Sequence, residues 1–342
     1  MDNNIKLGVS LFSMGYEYAA DAMDLKECIR TAGALGYTGI ELVSAQMVPG
    51  YPYPDGQWCD DISDLMRSFG VEPVAYGSYV DKARYSDHDL SEDEIYESVF
   101  NDMLIAARMG FGIVKVNDLI GVGVLRRLIP LARRLGLWIG VELHRPHTIR
   151  DEQWRGYFKL FAEDQGRHVG VVPDTGIFLS HPHEIFRREM VALGMTPSDY
   201  DMALKYFSRR DEMRGHPMEN LPEMVRRCYH KMCEDFIPTS MEDFAVMLRY
   251  SRYMHGKFFY VDEALGDESI DFAAIVDVLK QCGFRGYICA EYEGYFHDIS
   301  LSAVTQLDRY RRMMARYLQC AFETVSDSEI SPQFLITKPH LK

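Results

Sequence analysis

The stretch Ile139-Gly140-Val141-Glu142-Leu143-His144-Arg145-Pro146 joins a short apolar run to an acid and an imidazole. Side chains of a β-strand alternate between its faces, so Glu142 and His144 are predicted to share one face while their apolar neighbours pack on the other. Pro146 lacks an N–H group for sheet pairing, so the strand is expected to end near His144. Both polar side chains would then stand at the carboxyl end of a strand, where α/β barrels and sheets carry their active sites.

The same order of elements recurs on both sides of this stretch: a helical pattern, usually a glycine that ends it, and an apolar strand. The predicted strands cover residues 6–12, 39–42, 71–76, 113–116, 139–144, 169–174, 253–260 and 286–291. The predicted helices cover residues 22–35, 62–69, 92–109, 124–135, 152–162, 241–250, 270–281 and 300–318. Eight strands alternating with helices predict an α/β fold, a (β/α)8 TIM barrel that forms a single domain over residues 1–342.

Two segments lie outside this repeat. Residues from about 181 to about 240 are basic, rich in methionine and interrupted by prolines, which predicts a helical insertion between strands six and seven that lies over the strand mouths. Within it, His183-Glu184 lacks a second histidine at the spacing of a zinc helix, so it is interpreted as loop. The C-terminal extension, residues 319–342, is either a strap for a partner subunit or a loose tail.

Composition narrows the range of partners and compartments. A formal charge of -14 and a pI near 5.3 oppose binding to nucleic acid, which requires a basic surface. The N-terminus lacks a signal peptide pattern and no apolar run approaches membrane-spanning length, so a soluble cytoplasmic protein is expected. The 7 cysteines contain no paired CxxC knuckle and are predicted to be reduced. Dinucleotide, P-loop and hydrolase-elbow motifs are absent from the sequence.

Four consecutive strands of the predicted barrel, strands five to eight, end in groups that bind hard or borderline cations. These groups are Glu142, Asp174, His255 and Glu291. Three carboxylates and one imidazole suit Mn²⁺, Mg²⁺, Co²⁺ or Zn²⁺ and leave positions for substrate oxygens. Each residue taken alone is as well explained by a loop hydrogen bond or by core packing. Because all four fall at the same end of neighbouring strands, they are predicted to converge on one metal ion.

Strand alternation also supplies candidates for catalysis and substrate binding. His144 is the best candidate for a general base, because it need not bind the metal and an ordinary imidazole pKa of about 6.5 suits proton abstraction at neutral pH. The predicted substrate-binding residues are Lys115, Lys257, Glu293 and Glu41. Internal ion pairs that brace the strand ends explain the first three equally well, and a structural hydrogen bond explains Glu41.

Several short motifs resemble the xylose isomerase-like superfamily of sugar phosphate isomerases and epimerases, which are TIM barrels. They are Gly36-Tyr37-Thr38-Gly39-Ile40-Glu41-Leu42, Gly140-Val141-Glu142-Leu143-His144, Pro173-Asp174-Thr175-Gly176, His255-Gly256-Lys257-Phe258 and Ala290-Glu291-Tyr292-Glu293-Gly294. The resemblance implies a divalent metal on the four residues already assigned. The sequence departs from the usual Asp-x-Gly-His pattern, because Ile177 stands where that pattern has its histidine.

The long insertion, the Glu-x-His motif and Glu-Tyr-Glu-Gly most resemble the α subunit of bacterial C-glycoside deglycosidases. This resemblance implies Mn²⁺, a small β subunit in a hetero-oligomer, and cleavage of the sugar-to-aglycone carbon bond of 3-oxo-C-glycosides. A 3-oxo group makes the neighbouring C2–H acidic and a metal can polarise it. His144 would then remove the proton, with Glu142 and Glu291 as further catalytic residues. An apolar wall for the aromatic aglycone is predicted from Phe178, Phe186, Tyr206 and Phe207, although packing of the inserted helices is the better explanation for each of them taken singly.

Three alternative functions can be compared with C-glycoside cleavage. A metal-dependent sugar or sugar phosphate isomerase or epimerase would begin with the same proton abstraction, by a carboxylate of the Glu142/Glu291 pair. A metal-dependent abasic-site endonuclease is disfavoured by the net charge and the short ligand set. A non-catalytic binding scaffold would leave the convergence of four ligand-type residues unexplained.

Overall fold

The computed structural model describes residues 5–213 and 219–319, and its eight strands form one parallel sheet. The strands are β1 Ile5–Ser10, β2 Gly39–Val43, β3 Glu72–Gly77, β4 Ile113–Val116, β5 Trp138–Leu143, β6 Val169–Pro173, β7 Tyr253–Phe258 and β8 Gly286–Tyr292. They pair in the order β6-β5-β4-β3-β2-β1-β8-β7. A parallel bridge between Asp174 and His255 joins the two ends of this order. The predicted (β/α)8 barrel is confirmed.

The helices surround this barrel in the predicted alternation. They are α1 Gly15–Ala19, α2 Leu25–Ala34, α3 Ser44–Met47, α4 Gly56–Ser68, α5 Glu92–Met109, α6 Val122–Leu135, α7 Glu152–Asp164, α8 Glu184–Ala192, α9 Pro197–Phe207, α10 Arg210–Met213, α11 Glu223–Asp235, α12 Met241–Leu248, α13 Phe272–Gln281 and α14 Ala303–Leu318. Four short 3-10 helices cover Leu11–Met14, Asp118–Ile120, Thr175–Phe178 and Gly294–Phe296. The last two directly follow the ends of β6 and β8, so they shape the mouth of the barrel.

Local sequence explains where several helices begin and end. α5 has the predicted bounds because Ser91 and Glu94 form a reciprocal capping box at its start and Gly110 ends it with a φ of 83°. α4 begins earlier than predicted, because the Asp55 carboxylate accepts the backbone N–H of Trp58 at 3.1 Å and extends the helix into a polar first turn. β1 ends earlier than predicted, since Leu11–Met14 turns into a 3-10 helix.

The barrel interior is filled beneath the mouth by its own apolar cluster, which includes Trp138, Val172, Tyr253, Tyr287 and Cys289. Glycine at position 140 makes room for it, since a Cβ there would collide with the side chains of Trp138 and Val172. Strand alternation places the interior residues of the next layer at the carboxyl ends of the strands. The polar side chains at the carboxyl ends of the strands therefore lie directly above a closely packed apolar layer.

The predicted helical insertion between strands six and seven is present as α8 to α11. It has its own aromatic core: the ring of Phe236 lies 5.3 Å from that of Phe186 and 6.2 Å from that of Phe207. Residues 320–342, which form most of the predicted tail and include Cys320, fall outside the described residues. The six described cysteines are free thiols. Among the described residues, no helix has both the length and the apolar character needed to span a bilayer.

Candidate active site

Four side chains meet at the carboxyl ends of β5 to β8. Glu142 and Glu291 come from β5 and β8, His255 from β7, and Asp174 directly follows β6. Each offers one ligand atom, these atoms lie within 4.8 Å of one another, and all four residues are buried. The structure therefore brings together the four residues that the sequence predicts to be metal ligands.

The donor atoms of this cluster fit a divalent cation. The Nδ1 atom of His255 lies 2.9 Å from Oε1 of Glu142 and 3.2 Å from Oε2 of Glu291. The buried atoms His255 Nδ1, Glu291 Oε2 and Asp174 Oδ2 lack a hydrogen bond of normal geometry, although Nζ of Lys257 lies 2.7 Å from the last of them. Oxygen and imidazole donors of this kind suit Mn²⁺, Mg²⁺, Co²⁺ and Zn²⁺. The cluster could therefore hold one such ion.

Glu41 fixes the imidazole ring of His255 through a hydrogen bond. The Nε2–H of His255 donates to Oε2 of Glu41 at 2.8 Å, and the same carboxylate accepts hydrogen bonds from Tyr253 OH and Ser10 Oγ at 2.6 Å and 2.8 Å. With the proton of Nε2 held by Glu41, Nδ1 is the ring atom that faces the other ligands, and a bound metal would take the place of its proton. Burial raises the pKa of Glu41, but His255 and Lys115 outweigh that effect and lower it. The position favours a structural role for Glu41 over the predicted substrate contact.

Two lysines neutralise part of the negative charge. Nζ of Lys115 lies 2.9 Å from Oε2 of Glu142 and 3.9 Å from Oε1 of Glu41. Nζ of Lys257 contacts Asp174, Glu291 at 3.3 Å and Glu293 at 3.1 Å. Three ligand carboxylates, Glu41 and Glu293 together outnumber these two ammonium groups, so with all five acids ionised and His255 neutral the site would carry an excess negative charge that a divalent cation balances.

These charges also set the protonation states of the ligands. Burial raises the pKa of Glu142, but Lys115 and His255 outweigh it and hold that pKa well below its usual range. Burial alone would lower the pKa of His255, but the carboxylates of Glu291, Glu41 and Glu142 raise it well above its usual range. Glu293 is buried beside other acids, which raises its pKa to about 7 despite the opposing effect of Lys257.

A cavity of about 300 Å³ reaches the ligand group at Asp174, which is one of its lining residues. One end of it is polar and is lined by Asp174, Lys257 and Glu293. The other end is aromatic and is lined by Phe186, Phe236 and Phe259. A larger hollow of about 450 Å³ lies at the opposite end of the barrel, beside the first residues of β3 and β5, and does not reach the ligands.

His144 lies in the wall of this cavity and outside the ligand group. Its Nδ1 atom is 2.5 Å from the carbonyl oxygen of Arg145. A carbonyl oxygen can only accept, so Nδ1 carries a proton, and in the neutral imidazole Nε2 then has the lone pair. This tautomer is the one that a general base requires. Lys257 and Glu293 also line the cavity, so a substrate role stays open for both.

His183 is a cavity residue that the sequence interpretation missed. The structure corrects the predicted loop at His183-Glu184, because Nδ1 of His183 accepts the backbone N–H of Phe186 at 3.0 Å and so caps α8, which begins at Glu184. The imidazole stacks on Phe259, with ring centres 4.9 Å apart, and burial lowers its pKa to about 3. An acid in the first turn after a polar residue is the sequence signal that could have identified this cap.

The aromatic wall is only partly the predicted one. Phe186 lines the cavity, whereas Phe178 packs against Phe244 and Phe207 packs against Phe236. Tyr206 is only partly buried, packed against the hydrophobic core, and is absent from the cavity lining. The missed residues are Phe236 and Phe259, which follow directly after α11 and β7. Both positions look like ordinary apolar residues in the sequence.

No family model matches this chain. It is 27% identical to the 3'-dehydrocarminate deglycosidase alpha subunit of a Microbacterium species over 334 residues, which cover 91% of this chain and 94% of that protein. It is 25% identical to a C-glycoside deglycosidase alpha subunit of Arthrobacter globiformis, over 98% of this chain and 97% of that protein.

Solved structures resemble the chain in fold. A sugar phosphate isomerase/epimerase from Parabacteroides distasonis has a TM-score of 0.55 at 12% identity, covering 92% of this chain and 96% of that one. The IOLI protein with a binding zinc atom also has a TM-score of 0.55, at 16% identity, covering 93% of this chain and 99% of that one. The resemblances predicted from the motifs are confirmed: the chain is similar to deglycosidase alpha subunits in sequence and to isomerase/epimerase barrels in fold.

Proposed function

We propose that this chain is the catalytic α subunit of a metal-dependent C-glycoside deglycosidase that cleaves the carbon–carbon bond of 3-oxo-C-glycosides. Similarity to deglycosidase alpha subunits over more than nine tenths of the chain supports the substrate class. The observation that carries the proposal is the position of His144, which lines the same cavity as the ligand residue Asp174 and the aromatic wall and whose Nδ1–H is held by a backbone carbonyl.

In this proposal Glu142, Asp174, His255 and Glu291 hold one divalent ion, most simply Mn²⁺. When bound, the ion would supply Lewis acidity to the 3-oxo group of the sugar and so acidify the neighbouring C2–H. Glu142 and Glu291 contribute to catalysis through the ion they hold. Lys115 keeps Glu142 ionised and oriented, since their ion pair is 2.9 Å long and nearly buried.

His144 acts as the base in the lyase reaction. Its Nε2 atom takes the C2 proton, the electron pair of that C–H bond forms a C1=C2 double bond, and the bond from C1 to the aglycone carbon breaks. The released ring carbon gains one proton, so protons balance and no water is consumed. General bases typically contribute about 10²- to 10⁴-fold to a rate. Lys257 and Glu293 lie in the cavity beside the ligands and would bind the sugar hydroxyl groups.

The relatives' names as alpha subunits support a small β subunit as partner. The surface beside the cavity mouth offers apolar side chains for it: Phe296 is 62% exposed and Ile299 is 58% exposed. Two contacts hold this segment against α8 of the insertion, because His297 Nδ1 lies 2.6 Å from Glu189 and Arg188 donates to Asp298 at 3.4 Å. The partner would then complete the mouth of the site.

A sugar isomerase or epimerase is the alternative. The solved structures that share the fold support it, and the ligand atoms of Glu142 and Glu291, the carboxylate pair that would move the proton, lie within 4.8 Å of each other. The aromatic half of the cavity is the feature that this alternative leaves without a role.

One experiment separates the two functions. The metal-loaded protein, with and without the product of a small neighbouring reading frame, is incubated with a 3-oxo aryl C-glucoside and separately with free ketoses. Release of the aromatic aglycone, abolished by a chelator and restored by Mn²⁺, is the expected result. Interconversion of ketoses without aglycone release would replace the proposal with the epimerase alternative.

A further inference from the structure

Arg145 is a cavity residue that neither the metal cluster nor the base assignment uses. It directly follows His144, and its Nη2 atom donates to the backbone carbonyl oxygen of Glu234 in the insertion helix α11. Its Nη1 atom is buried and has no hydrogen-bond partner. A buried N–H group without an acceptor is unfavourable, so a ligand oxygen at this position would gain a hydrogen bond that the protein itself does not supply.

The charge of Arg145 is also available to a ligand. Among the described residues, no carboxylate forms an ion pair with Arg145, and the nearby Asp235 pairs with Lys231 at 2.9 Å. By contrast, Lys257, the other cation in the cavity wall, contacts three carboxylates. A guanidinium group binds anionic oxygens through directed N–H bonds and is weakly hydrated, which suits an enclosed site.

The contact to Glu234 places Arg145 at the aromatic end of the cavity. Phe236, two residues further along the chain, lies with its ring 5.3 Å from Phe186 and 6.1 Å from His183. A flat ring packed against these side chains would present its edge substituents to the polar groups of the wall. Two charged residues of the wall adjoin Phe236 on this side: the cationic Arg145 and Asp235, whose charge Lys231 offsets.

We infer that Arg145 binds a phenolic oxygen of the aglycone and stabilises the negative charge on that oxygen as the carbon–carbon bond breaks. The preferred substrates are then aryl C-glycosides that carry a hydroxyl group ortho or para to the glycosidic carbon. This inference rests on the proposed function and adds to it a residue that selects the aglycone.

The step balances without any further reactant. The phenolic proton first moves to the glycosidic ring carbon, which gives the dienone tautomer of the aglycone. His144 removes the C2 proton, the C1=C2 double bond forms, and the electron pair of the breaking C1–aryl bond restores the aromatic ring and leaves its charge on the oxygen beside Arg145. The phenolate then takes the proton that His144 holds. An aglycone without that hydroxyl group has no atom on which to place the charge.

Binding of 4-nitrophenol tests the subsite without relying on turnover. The absorbance of the phenolate reports its ionisation, so the pKa of the bound phenol can be measured on the metal-loaded protein together with its copurifying partner. An opposite charge within contact distance lowers an acid's pKa by roughly 1 to 3 units, and we expect such a decrease in the wild type. The decrease should disappear in Arg145→Gln, which keeps an N–H donor for the Glu234 carbonyl, and should persist in part in Arg145→Lys.

Arg150→Gln is the matched control, because Arg150 lies on the same loop but is exposed and paired with Asp243 at 3.1 Å. It should behave as the wild type, and thermal unfolding of each variant shows whether the fold is intact. Absence of 4-nitrophenol binding, or an equal pKa decrease in wild type and Arg145→Gln, would overturn the inference.

Turnover provides the second measurement. A 3-oxo C-glucoside with a free ortho hydroxyl group should be cleaved, whereas its methyl ether should not. Arg145→Gln should lower kcat on the free phenol by at least about 10-fold, which corresponds to a change of about one unit in the pKa of that phenol. Cleavage of both compounds at equal rates would also overturn the inference. If neither compound is cleaved while the pKa decrease depends on Arg145, the proposed function fails and the phenolate subsite stands.

Discussion

At the scale of single residues, the metal cluster depends on groups that do not themselves touch the ion. His255 can offer Nδ1 only while Glu41 holds the proton of Nε2, and the 2.8 Å bond between them joins β7 to β2, with β8 and β1 between the two strands. Strand alternation predicts His255 as a ligand, but it cannot predict this bond, because the two residues are 214 positions apart and meet only when the barrel closes. The ligands were therefore predictable from the sequence and their support was not.

Substitution of a metal ligand should weaken metal binding more than substitution of Glu41, which only orients a ligand. Asp174→Asn should lose the ion, since it deletes one charged donor, and elemental analysis of the wild type should show about one divalent ion per chain. Glu41→Gln should raise the Kd for Mn²⁺ by about 10- to 100-fold, as loss of an orienting carboxylate typically does. Glu72→Gln, which changes an exposed carboxylate at the far end of the barrel, is the control and should bind as the wild type. Equal Mn²⁺ affinity in all four proteins would contradict the assigned site.

His144→Gln should keep the fold and the metal while losing at least about 10²-fold in turnover, the lower end of a general base's contribution. The neighbouring His147 provides the control, because its imidazole pairs with Asp151 at 3.2 Å and does not line the cavity. His147→Gln should therefore retain most of the activity. A metal-loaded His144→Gln protein with normal turnover would assign the base role to a carboxylate such as Glu293.

Asp102 should make stability depend on pH. Its fully buried carboxylate accepts Ser78 Oγ–H at 2.5 Å, its Oδ1 atom has no partner, and burial raises its pKa to about 7. Between about pH 4 and about pH 7 the folded protein therefore holds a proton that the unfolded chain has released. The contribution of Asp102 to the free energy of unfolding is full below about pH 4 and is lost as pH rises to about 7.

Asp102→Asn keeps an oxygen for Ser78 and cannot ionise. Its free energy of unfolding, measured in urea, should rise relative to the wild type as pH is raised from about 5 to about 8, by up to about 1.4 kcal/mol for each pKa unit of the shift. A constant difference across that range would show that the carboxylate does not titrate there.

At the scale of elements, the sequence predicts the bounds of several elements in the regular part of the chain, whereas for the insertion it predicts only the presence of helices. α5 and β4 have the predicted bounds because a capping box, an apolar period and a glycine all agree on them. The insertion lacks such a repeat, so the sequence indicates helices there without indicating that Phe236 and His183 turn towards the cavity. Long-range packing decides those orientations.

The junction of β6 with the turn after α12 has room for glycine only. The carbonyl oxygen of Tyr250 accepts the N–H of Val171 at 3.0 Å, and a Cβ at Gly170 would collide with that same oxygen. Gly170→Ala should therefore lower the free energy of unfolding by about 1 to 3 kcal/mol, the usual cost of overpacking. Gly112→Ala is the control, because nothing lies within 4 Å of its Cβ position. Equal thermal unfolding midpoints for the two variants would show that the backbone around Gly170 can shift to accommodate a Cβ atom without loss of stability.

At the scale of the whole molecule, two parts of the chain contribute different chemistry to one cavity. The barrel supplies Asp174, Glu293, Lys257 and His144, and the insertion supplies Phe186, Phe236, His183 and Asp235. A sugar bound at the ligand cluster would therefore extend its aglycone towards the insertion. The exposed segment of Phe296 and Ile299 borders this same mouth, so a subunit bound there would lie next to the aglycone.

The last prediction tests that surface. Ile299→Asp places a charge on the apolar segment beside α8 and should abolish copurification of the small partner subunit, with metal content and thermal unfolding unchanged. Phe69→Asp is the matched control, since Phe69 is 37% exposed and precedes β3 at the opposite end of the barrel. It should retain the partner. If Ile299→Asp still copurifies with a full complement of partner while Phe69→Asp does not, the partner binds the amino ends of the strands, and the aglycone cavity is complete within this chain alone.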